Sequence, residues 1–474
     1  MKATLHPVWL MAKRELRDQM RDWRILMPLI LLTVGFPFLM DAFAYYAVEL
    51  TNQYGGDLIV DRLVPFSILI IGFFPITISL LGALESFVGE KERGTIEPLL
   101  GSPLADWQLY LGKLIVGIAS PLVSSFVSIA IYLVVVSRQQ LDMPSLEIFA
   151  QLFLLTIAHA LLMVSAAIVI SVQSTSVKAA NLLASFIIVP VTMLMMGETA
   201  LFIRLNNRVL WMAVLAVIIM AGLLVRLGLA HFQREYLLGR EIDVLNLRWI
   251  GRTFWGYFKG DANSISTWYR DSVSATLRKL RKPVALLVAF MIVGIAVTYF
   301  WSLENLPGYL ASLDEQEMAK FQDRISNAGG VTETAITAPY LFIHNVQATL
   351  AIGFFGMFSF GVLAVILYLI NTSMIGGLFG YFKLQGLEIL PLFINGILPH
   401  GIFEIPALIL SCAAVLHVGL ILVTPQEQRT IGDVLLEALA DWARVYIGVV
   451  VPLLALAAVV ESYVTPLLLS NALK

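Results

Sequence analysis

The chain has 474 residues, of which 59% are hydrophobic and 14% are charged, and its mean hydropathy is +0.84. Soluble domains carry charge on about a quarter of their residues, so this composition excludes an ordinary soluble fold. The formal net charge of -2 offers no strongly basic patch for phosphate groups, and we expect no nucleic-acid partner. The single cysteine, Cys412, excludes an internal disulfide framework and a thiolate metal cluster, so we expect it to be packed or lipid-facing.

Apolar runs long enough to cross a bilayer recur along the chain. Six precede residue 232, at residues 25–46, 63–84, 114–136, 148–172, 179–197 and 209–230, and four follow, at 284–301, 346–370, 402–423 and 446–469. The stretches 371–382 and 390–398 are too short to span alone, which indicates a broken helix or a re-entrant pair. The first run is too long for a cleaved signal peptide. The sequence therefore predicts an all-α, polytopic membrane protein with ten or eleven transmembrane helices.

Basic residues predict the orientation, because loops rich in lysine and arginine stay in the cytoplasm. Six of them precede the first span: Lys2, Lys13, Arg14, Arg17, Arg21 and Arg24. Ten more lie within residues 232–282, after the sixth span, whereas the loop at 302–345 is mainly acidic. We therefore expect a plasma-membrane protein with a cytoplasmic N-terminus and an external loop at 302–345.

Three segments have apolar residues at helical spacing with charges between them, which predicts amphipathic helices at the membrane interface. They lie at residues 5–23, 265–280 and 431–446, and each leads directly into a span. This repetition predicts two modules. We place the boundary within the basic segment, near residue 260, so the modules are residues 1–260 and 261–474.

The sharpest motif lies between the second and third spans, at residues 90–103, and reads EKERGTIEPLLGSP. It combines alternating charges with Gly94 and with Thr95, whose hydroxyl can cap the turn at residues 96–100. Glycine and proline close that turn, at Gly101 and Pro103. The motif therefore predicts a short rigid helix offered to solvent, and the plainer interpretation is a solvated charged loop.

This motif resembles the coupling region of type 2 ABC exporter permeases. The polar turn at residues 171–180 and the segment 232–239 agree with the same family, and the resemblance covers about residues 1–240. It implies a six-helix half-transporter that pairs with a second permease copy and with two ABC ATP-binding subunits. It assigns contact with the ATPase to Glu90, Lys91, Glu92, Arg93, Gly94, Thr95, Glu97, Leu99, Leu100 and Pro103.

The printed sequence contains no phosphate-binding loop of the form G-x-x-x-x-G-K-[ST], because Gly112-Lys113 is followed by a leucine. We therefore expect ATP to be used by a separate subunit. The chain itself is predicted to bind no cofactor and to have no catalytic role of its own.

The second module resembles the stage II sporulation protein M family over about residues 280–470. The resemblance rests on Leu-Pro-His-Gly-Ile-Phe-Glu at 398–404 and on Glu-Ser-Tyr-Val-Thr-Pro at 461–466. That family is linked to envelope remodelling complexes, and the resemblance implies fold kinship but no defined chemistry.

Ionisable side chains inside a span are costly and are functional candidates by default, which singles out His400, Glu404 and Glu461. If they meet, they suit a hydrogen-bonded brace, a proton relay or a metal site of mixed nitrogen and oxygen ligands. We favour the brace, because Pro399 would start the helix and place His400 and Glu404 in its first turns. The sequence thus predicts no metal, and the absence of HExxH and GxGD disfavours an intramembrane protease.

The remaining membrane ionisable residues have ordinary interpretations. Asp41, Glu85 and Glu198 lie near predicted helix ends, and the side chain of Arg226 can reach the interface. His159 and His417 are expected to be packed and neutral.

The leading hypothesis is the permease subunit of an ATP-driven exporter, with a second module that modifies substrate choice, assembly or gating. Its mainly apolar helix faces suit a lipidic or amphipathic cargo as well as a small ion. The alternative is a non-transporting scaffold whose ATPase partner drives envelope remodelling factors through the loop at 302–345. A third hypothesis is an intramembrane enzyme that uses His400, Glu404 and Glu461.

Overall fold

The computed structural model of the protein describes residues 2–54, 57–139, 141, 143–174, 176–204, 207–232, 247–312, 318, 337–424 and 431–472. Every regular element in these ranges is helical, which confirms the predicted all-α class. Ten of the described helices are long and apolar enough to cross a membrane, and Ile187–Ala200 is a shorter apolar helix. The multi-pass architecture is therefore confirmed.

The chain divides into two compact units. Met1–Leu245 and Val423–Glu427 form the first unit, and Asn246–Leu422 and Gln428–Lys474 form the second. The first contains α1 (Lys2–Gln19), α2 (Trp23–Tyr54), α3 (Asp57–Glu92), α4 (Ile96–Leu100), α5 (Asp106–Val136), α6 (Leu146–Gln173), α7 (Val177–Arg204) and α8 (Asn207–His231). Its six long helices α2, α3, α5, α6, α7 and α8 correspond to the six predicted apolar runs.

Small residues let the helices of the first unit approach closely, as is common in membrane bundles. Gly117 of α5 lies against Val164 of α6, and Gly228 of α8 lies against the ring of Tyr110. A hydrogen bond also links α5 to α3, because the Ser125 hydroxyl donates to the Gly72 carbonyl oxygen over 2.7 Å. These contacts assemble α3, α5, α6 and α8 into one core.

Helix α1 is amphipathic, as its spacing predicts. It buries Val8, Met11 and Ala12 against α5, while Trp9 is 65% exposed and Leu10 is 54% exposed. Its outer face is therefore free to meet a bilayer interface.

The second unit contains α9 (Leu247–Lys259), α10 (Ile265–Thr267), α11 (Ser274–Lys279), α12 (Arg281–Ser312), α13 (Ala338–Phe358), α14 (Val362–Leu384), α15 (Ile389–Leu392), α16 (Leu398–Leu422), α17 (Ile431–Val445), α18 (Val451–Tyr463) and α19 (Thr465–Ala472). Three π-helical turns, Trp268–Val273, Phe393–Ile397 and Tyr446–Val450, connect neighbouring helices into longer rods.

Helix α9 packs within the second unit, although the predicted boundary near residue 260 assigns its residues to the first module. The Nε atom of Arg444 in α17 donates to the Phe258 carbonyl oxygen over 3.0 Å, and the Trp268 indole donates to the same oxygen over 2.9 Å. These bonds fix the C-terminal end of α9 to the second unit.

The predicted single span at residues 346–370 is wrong, because the chain turns between α13 and α14. Phe360 and Gly361 have positive φ angles of 54° and 92°, and the Gly361 amide donates to the Gly356 carbonyl oxygen over 2.8 Å. Helix α16 accommodates this turn because Gly419 has no Cβ to overlap the Phe360 backbone.

The predicted broken or re-entrant segment is also wrong. Residues 371–382 lie inside α14, and residues 390–398 lie in a continuous helical run, through α15 and the π-helical turn Phe393–Ile397, that leads into α16. Cys412 is fully buried in an apolar cluster with Ile352 and Tyr368, which makes it a packing residue.

Candidate functional site

The motif at residues 90–103 begins as the last turn of α3 and continues into the short helix α4. Gly94 adopts a positive φ of 66°, and the Thr95 amide donates to the Glu90 carbonyl oxygen over 2.9 Å. The Thr95 hydroxyl also donates to this oxygen, over 3.4 Å. It therefore bonds back to α3, whereas the sequence predicts that it caps the turn at residues 96–100. Ile96 is buried, so the turn fixes α4 against the end of α3.

Glu90 faces inward and joins a buried charge cluster, which the prediction of a short rigid helix offered to solvent did not include. The side chain of Lys113 is 0% exposed, and its Nζ lies 3.3 Å from Glu90 and 3.4 Å from Glu15. It also donates to the Ser86 carbonyl oxygen. Arg14 lies 4.0 Å from Glu90. The cluster therefore connects α1, α3 and α5 at one end of the bundle.

Lys91 and Glu92 connect the same motif to the turn between α6 and α7. The Lys91 ammonium donates to the carbonyl oxygens of Val172 and Ser174, over 2.9 and 3.0 Å. Glu92 accepts from the Val177 amide over 2.8 Å, at the start of α7. A cation at a helix C-terminus and a carboxylate at an N-terminus both complement the helix dipole. The two predicted features at 90–103 and 171–180 are thus parts of one structure.

The outer half of the motif is solvent-exposed. Its exposed residues are Glu92, Arg93, Gly94, Thr95, Glu97, Pro98, Gly101 and Pro103. The side chains of Leu99 and Leu100 lie outside the described residues, although their backbone is part of α4. A groove with a volume of about 480 Å³ separates this segment from α1 and is lined by Pro7, Leu10, Met11, Arg14, Thr95, Pro98, Ser102 and Leu104.

Segment 232–239, the third feature of the same resemblance, is described only at its first residue. The Phe232 ring lies 5.2 Å from the Phe87 ring and 6.1 Å from the Tyr110 ring, measured between centroids. Residues 233–239 lie outside the described part of the chain, as do residues 313–317 and 319–336 of the acidic loop.

Glu198 and His159 form a buried pair. The packed position predicted for His159 is confirmed, and Glu198 lies near the end of α7 as predicted, but their contact with each other was not part of the prediction. Both are 2% exposed, and the Nε2 atom of His159 lies 3.4 Å from a Glu198 oxygen. The Nδ1 atom of His159 lies 2.9 Å from the Leu155 carbonyl oxygen, which can only accept, so this nitrogen carries a proton. The contact between Nε2 and Glu198 is therefore a hydrogen bond only when one of these two groups carries a further proton.

His400, Glu404 and Glu461 come together in the second unit, as the sequence anticipates. Each residue offers one ligand atom to a group whose members all lie within 4.8 Å of one another, and all three residues are half-buried. The helical run begins at Ile389, well before Pro399. Helix α16 itself begins at Leu398, so His400 and Glu404 lie in its first turns as predicted, but the helical run continues upstream through the π-helical turn Phe393–Ile397, so these residues are not at a free helix end.

A second polar network in the second unit was not predicted. Asp441 is 1% exposed and accepts from Arg444 over 2.7 Å, Lys279 over 2.8 Å and Thr276 over 2.9 Å. Burial by itself would lower the pKa of Lys279, but the hydrogen bond and charge of Asp441, with Glu437, raise it above its ordinary value of 10.5. This network joins α17 to the helical segment before α12, so it serves the architecture of the unit.

Lys113 and Asp441 are the important polar residues that sequence reasoning missed. Lys113 is a charged residue beside an apolar run, which is a visible signal, whereas Asp441 is one of several charged residues in the predicted amphipathic segment 431–446. Their partners lie on other helices, so the networks themselves could not be read from spacing.

Comparison with known proteins finds a similarity for each part of the chain. Residues 9–219 match the family model "ABC-2 family transporter protein", and residues 284–466 match "Stage II sporulation protein M". A segment of 107 residues is 33% identical to the "Probable ABC transporter permease protein NosY" of Pseudomonas aeruginosa. This match covers 22% of the chain and 37% of that relative. Both resemblances are therefore confirmed: residues 9–219 are similar to the ABC-2 family transporter proteins, and residues 284–466 are similar to stage II sporulation protein M.

Proposed function

We propose that the first unit is the membrane-spanning subunit of an ATP-driven ABC exporter, and that α4 docks on a separate ATP-binding subunit. The observation that carries this proposal is the two-sided form of the motif at 90–103. Its outer side presents Glu97 and Pro98 to solvent, and its inner side is bonded to several spans of the first unit.

The inner contacts give a route for motion from the ATPase to the spans. The tight turn at Gly94 fixes α4 to α3, so a displacement of α4 acts on α3 directly. Lys91 and Glu92 transmit it to the junction of α6 and α7, and Glu90 transmits it through Lys113 to α5. One docking surface therefore controls the ends of four long helices.

The remaining parts of the proposal follow from the family match. A second copy of the chain would complete the translocation path, and ATP would be bound and hydrolysed only by the partner subunits. The complex would lie in the plasma membrane with its N-terminus in the cytoplasm, because the basic residues of α1 lie at the same end of the bundle as α4.

The test is isolation of the tagged full-length protein from its native membranes in mild detergent, followed by mass spectrometry and an ATPase assay. We expect an ABC ATP-binding subunit to co-purify with ATPase activity. Glu97→Lys reverses an exposed charge on α4 and should remove both. Glu49→Lys is the matched control, because Glu49 is also exposed and lies at the other end of its span.

Glu92→Ala is a poor choice for this test, because the variant also loses the bond to the Val177 amide. Loss of the partner on Glu97→Lys, with normal membrane insertion and size-exclusion behaviour, supports the coupling role. Full recovery of the partner with Glu97→Lys would contradict it.

The match to stage II sporulation protein M favours a second candidate function, a scaffold in which ATP hydrolysis drives envelope remodelling factors. The two functions differ in the use of energy. An exporter reconstituted in vesicles moves a cargo in an ATP-dependent way, whereas a scaffold loses an external protein partner when residues 313–336 are deleted.

A further inference from the structure

The cluster of His400, Glu404 and Glu461 has the composition and spacing of a metal-ligand set. Its three ligand atoms lie within 4.8 Å of one another and come from two packed helices, α16 and α18. We propose that it binds one divalent transition-metal cation through one imidazole nitrogen and two carboxylates. This proposal is independent of the ATPase partner.

The hydrogen bonds around His400 leave one ring nitrogen available to an ion. Its Nδ1 atom lies 3.2 Å from the Thr465 hydroxyl oxygen, and this hydroxyl donates its own proton to the Val460 carbonyl oxygen over 3.3 Å. The Thr465 oxygen therefore accepts from Nδ1–H, and the lone pair of the neutral ring is on Nε2. Histidines that bind metals are oriented in this way, by a bond from the second nitrogen.

The charges of the cluster, when both carboxyls are ionised, also favour a cation. Glu404 and Glu461 converge within the hydrophobic part of the second unit, and neither forms an ion pair with a lysine or arginine among the described residues. Two like charges at this separation repel strongly where water is scarce. A divalent cation balances both ionised carboxylates at once.

The donor atoms select the class of ion. Magnesium and calcium prefer sites made only of oxygen ligands, whereas imidazole favours zinc, iron and other transition metals. Three protein ligands leave further positions for water or for a ligand of the complex, which is the form of reactive rather than closed sites. Ligand atoms that share such an ion lie about 3 Å apart, since each bond is about 2.1 Å long. Binding of the ion therefore requires the cluster to contract from its present limit of 4.8 Å, by rotation of the two glutamate side chains.

The experiment uses the full-length protein, purified in detergent without chelators and analysed for metals by mass spectrometry. Protein treated with a chelator is then titrated with Co²⁺, Mn²⁺ and Zn²⁺ in equilibrium dialysis. We expect about one ion per chain, and a visible Co²⁺ spectrum typical of mixed nitrogen and oxygen ligands. The double variant Glu404→Gln/Glu461→Gln should abolish binding.

Thr465→Val removes only the hydroxyl that orients His400, and it should weaken metal affinity by about 10–100-fold. Glu388→Gln is the matched control, because Glu388 is an exposed glutamate of the same unit, and its affinity should equal that of the wild type. Size-exclusion profiles establish that each variant is folded. If the double glutamate variant aggregates, the metal affinity of Thr465→Val still tests the proposal.

Two results would overturn the proposal. One is uptake well below one ion per chain, with no effect of metal on the melting temperature, as expected when the two carboxylates share a proton instead. The other is equal affinity of the wild type, Thr465→Val and Glu388→Gln, which places the bound ion elsewhere on the protein.

Discussion

Replacing Lys113 with methionine removes a buried ammonium group and keeps a side chain of similar length. Its Nζ lies 3.3 Å from Glu90 and 3.4 Å from Glu15, so both carboxylates lose their closest cation. Removing one partner of a buried ion pair costs about 3–5 kcal/mol. The carboxylates are 14% and 15% exposed, and Arg14 lies 4.0 Å from Glu90, so water and this arginine offset part of the loss. We therefore expect a loss of about 3 kcal/mol, at the lower end of that range.

The assay is the thermal midpoint of the detergent-solubilised protein, followed by tryptophan fluorescence. For a unit of this size, each kcal/mol lowers the midpoint by about 2–4 °C, so Lys113→Met should lower it by roughly 6–12 °C. The double variant Lys113→Met/Glu90→Gln should recover much of the loss, because the inward-facing carboxylate is then neutral. Losses that simply add in the double variant would refute this reasoning, since groups that interact are not additive.

Four further predictions concern contacts between helices. Asp441→Asn leaves Lys279 and Arg444 without their shared carboxylate and should cost about 3–5 kcal/mol, measured as a lower thermal midpoint. Because the pKa of Lys279 is raised in the folded protein, its contribution is full below pH 10.5 and should disappear as pH rises through the folded pKa, a loss that Lys279→Met should not show. Gly419→Ala places a methyl group on the Phe360 backbone and should cost about 1–3 kcal/mol, whereas Gly377→Ala, with nothing within 4 Å, should not destabilise the protein. Glu198→Gln should preserve the thermal midpoint because its amide donates to His159, whereas Glu198→Ala leaves that nitrogen unpaired and should cost about 1–3 kcal/mol; equal midpoints would contradict this.

The long helices of the first unit were predictable because each is a continuous apolar run between polar turns. The break between α13 and α14 was not, since Phe358 to Leu363 reads as part of one apolar run. That turn depends on the positive φ of Gly361 and on the space that Gly419 leaves in a distant helix. A tertiary contact of this kind has no local signal.

The motif at residues 90–103 could be located from the sequence. Which of its side chains face the spans and which face solvent could not be predicted. Alternating charges predict a solvated segment, and the order EKER does not distinguish an inward side chain from an outward one. Glu90 faces inward because Lys113 lies one helix away, and Lys91 faces inward because α6 ends beside it. The packing of the spans therefore determines which residues of the motif contact other helices and which remain exposed to a partner.

The central claim is that α4 is the surface on which a separate ATP-binding subunit docks. The native thiol of Cys412 is fully buried, so a cysteine introduced at an exposed site can be labelled selectively with a photo-crosslinker. We predict that Glu97→Cys, labelled and irradiated in native membranes, forms an adduct that mass spectrometry identifies as an ABC ATP-binding subunit, and that Glu49→Cys does not. An adduct of equal yield at both positions, or none at Glu97→Cys, would contradict the account.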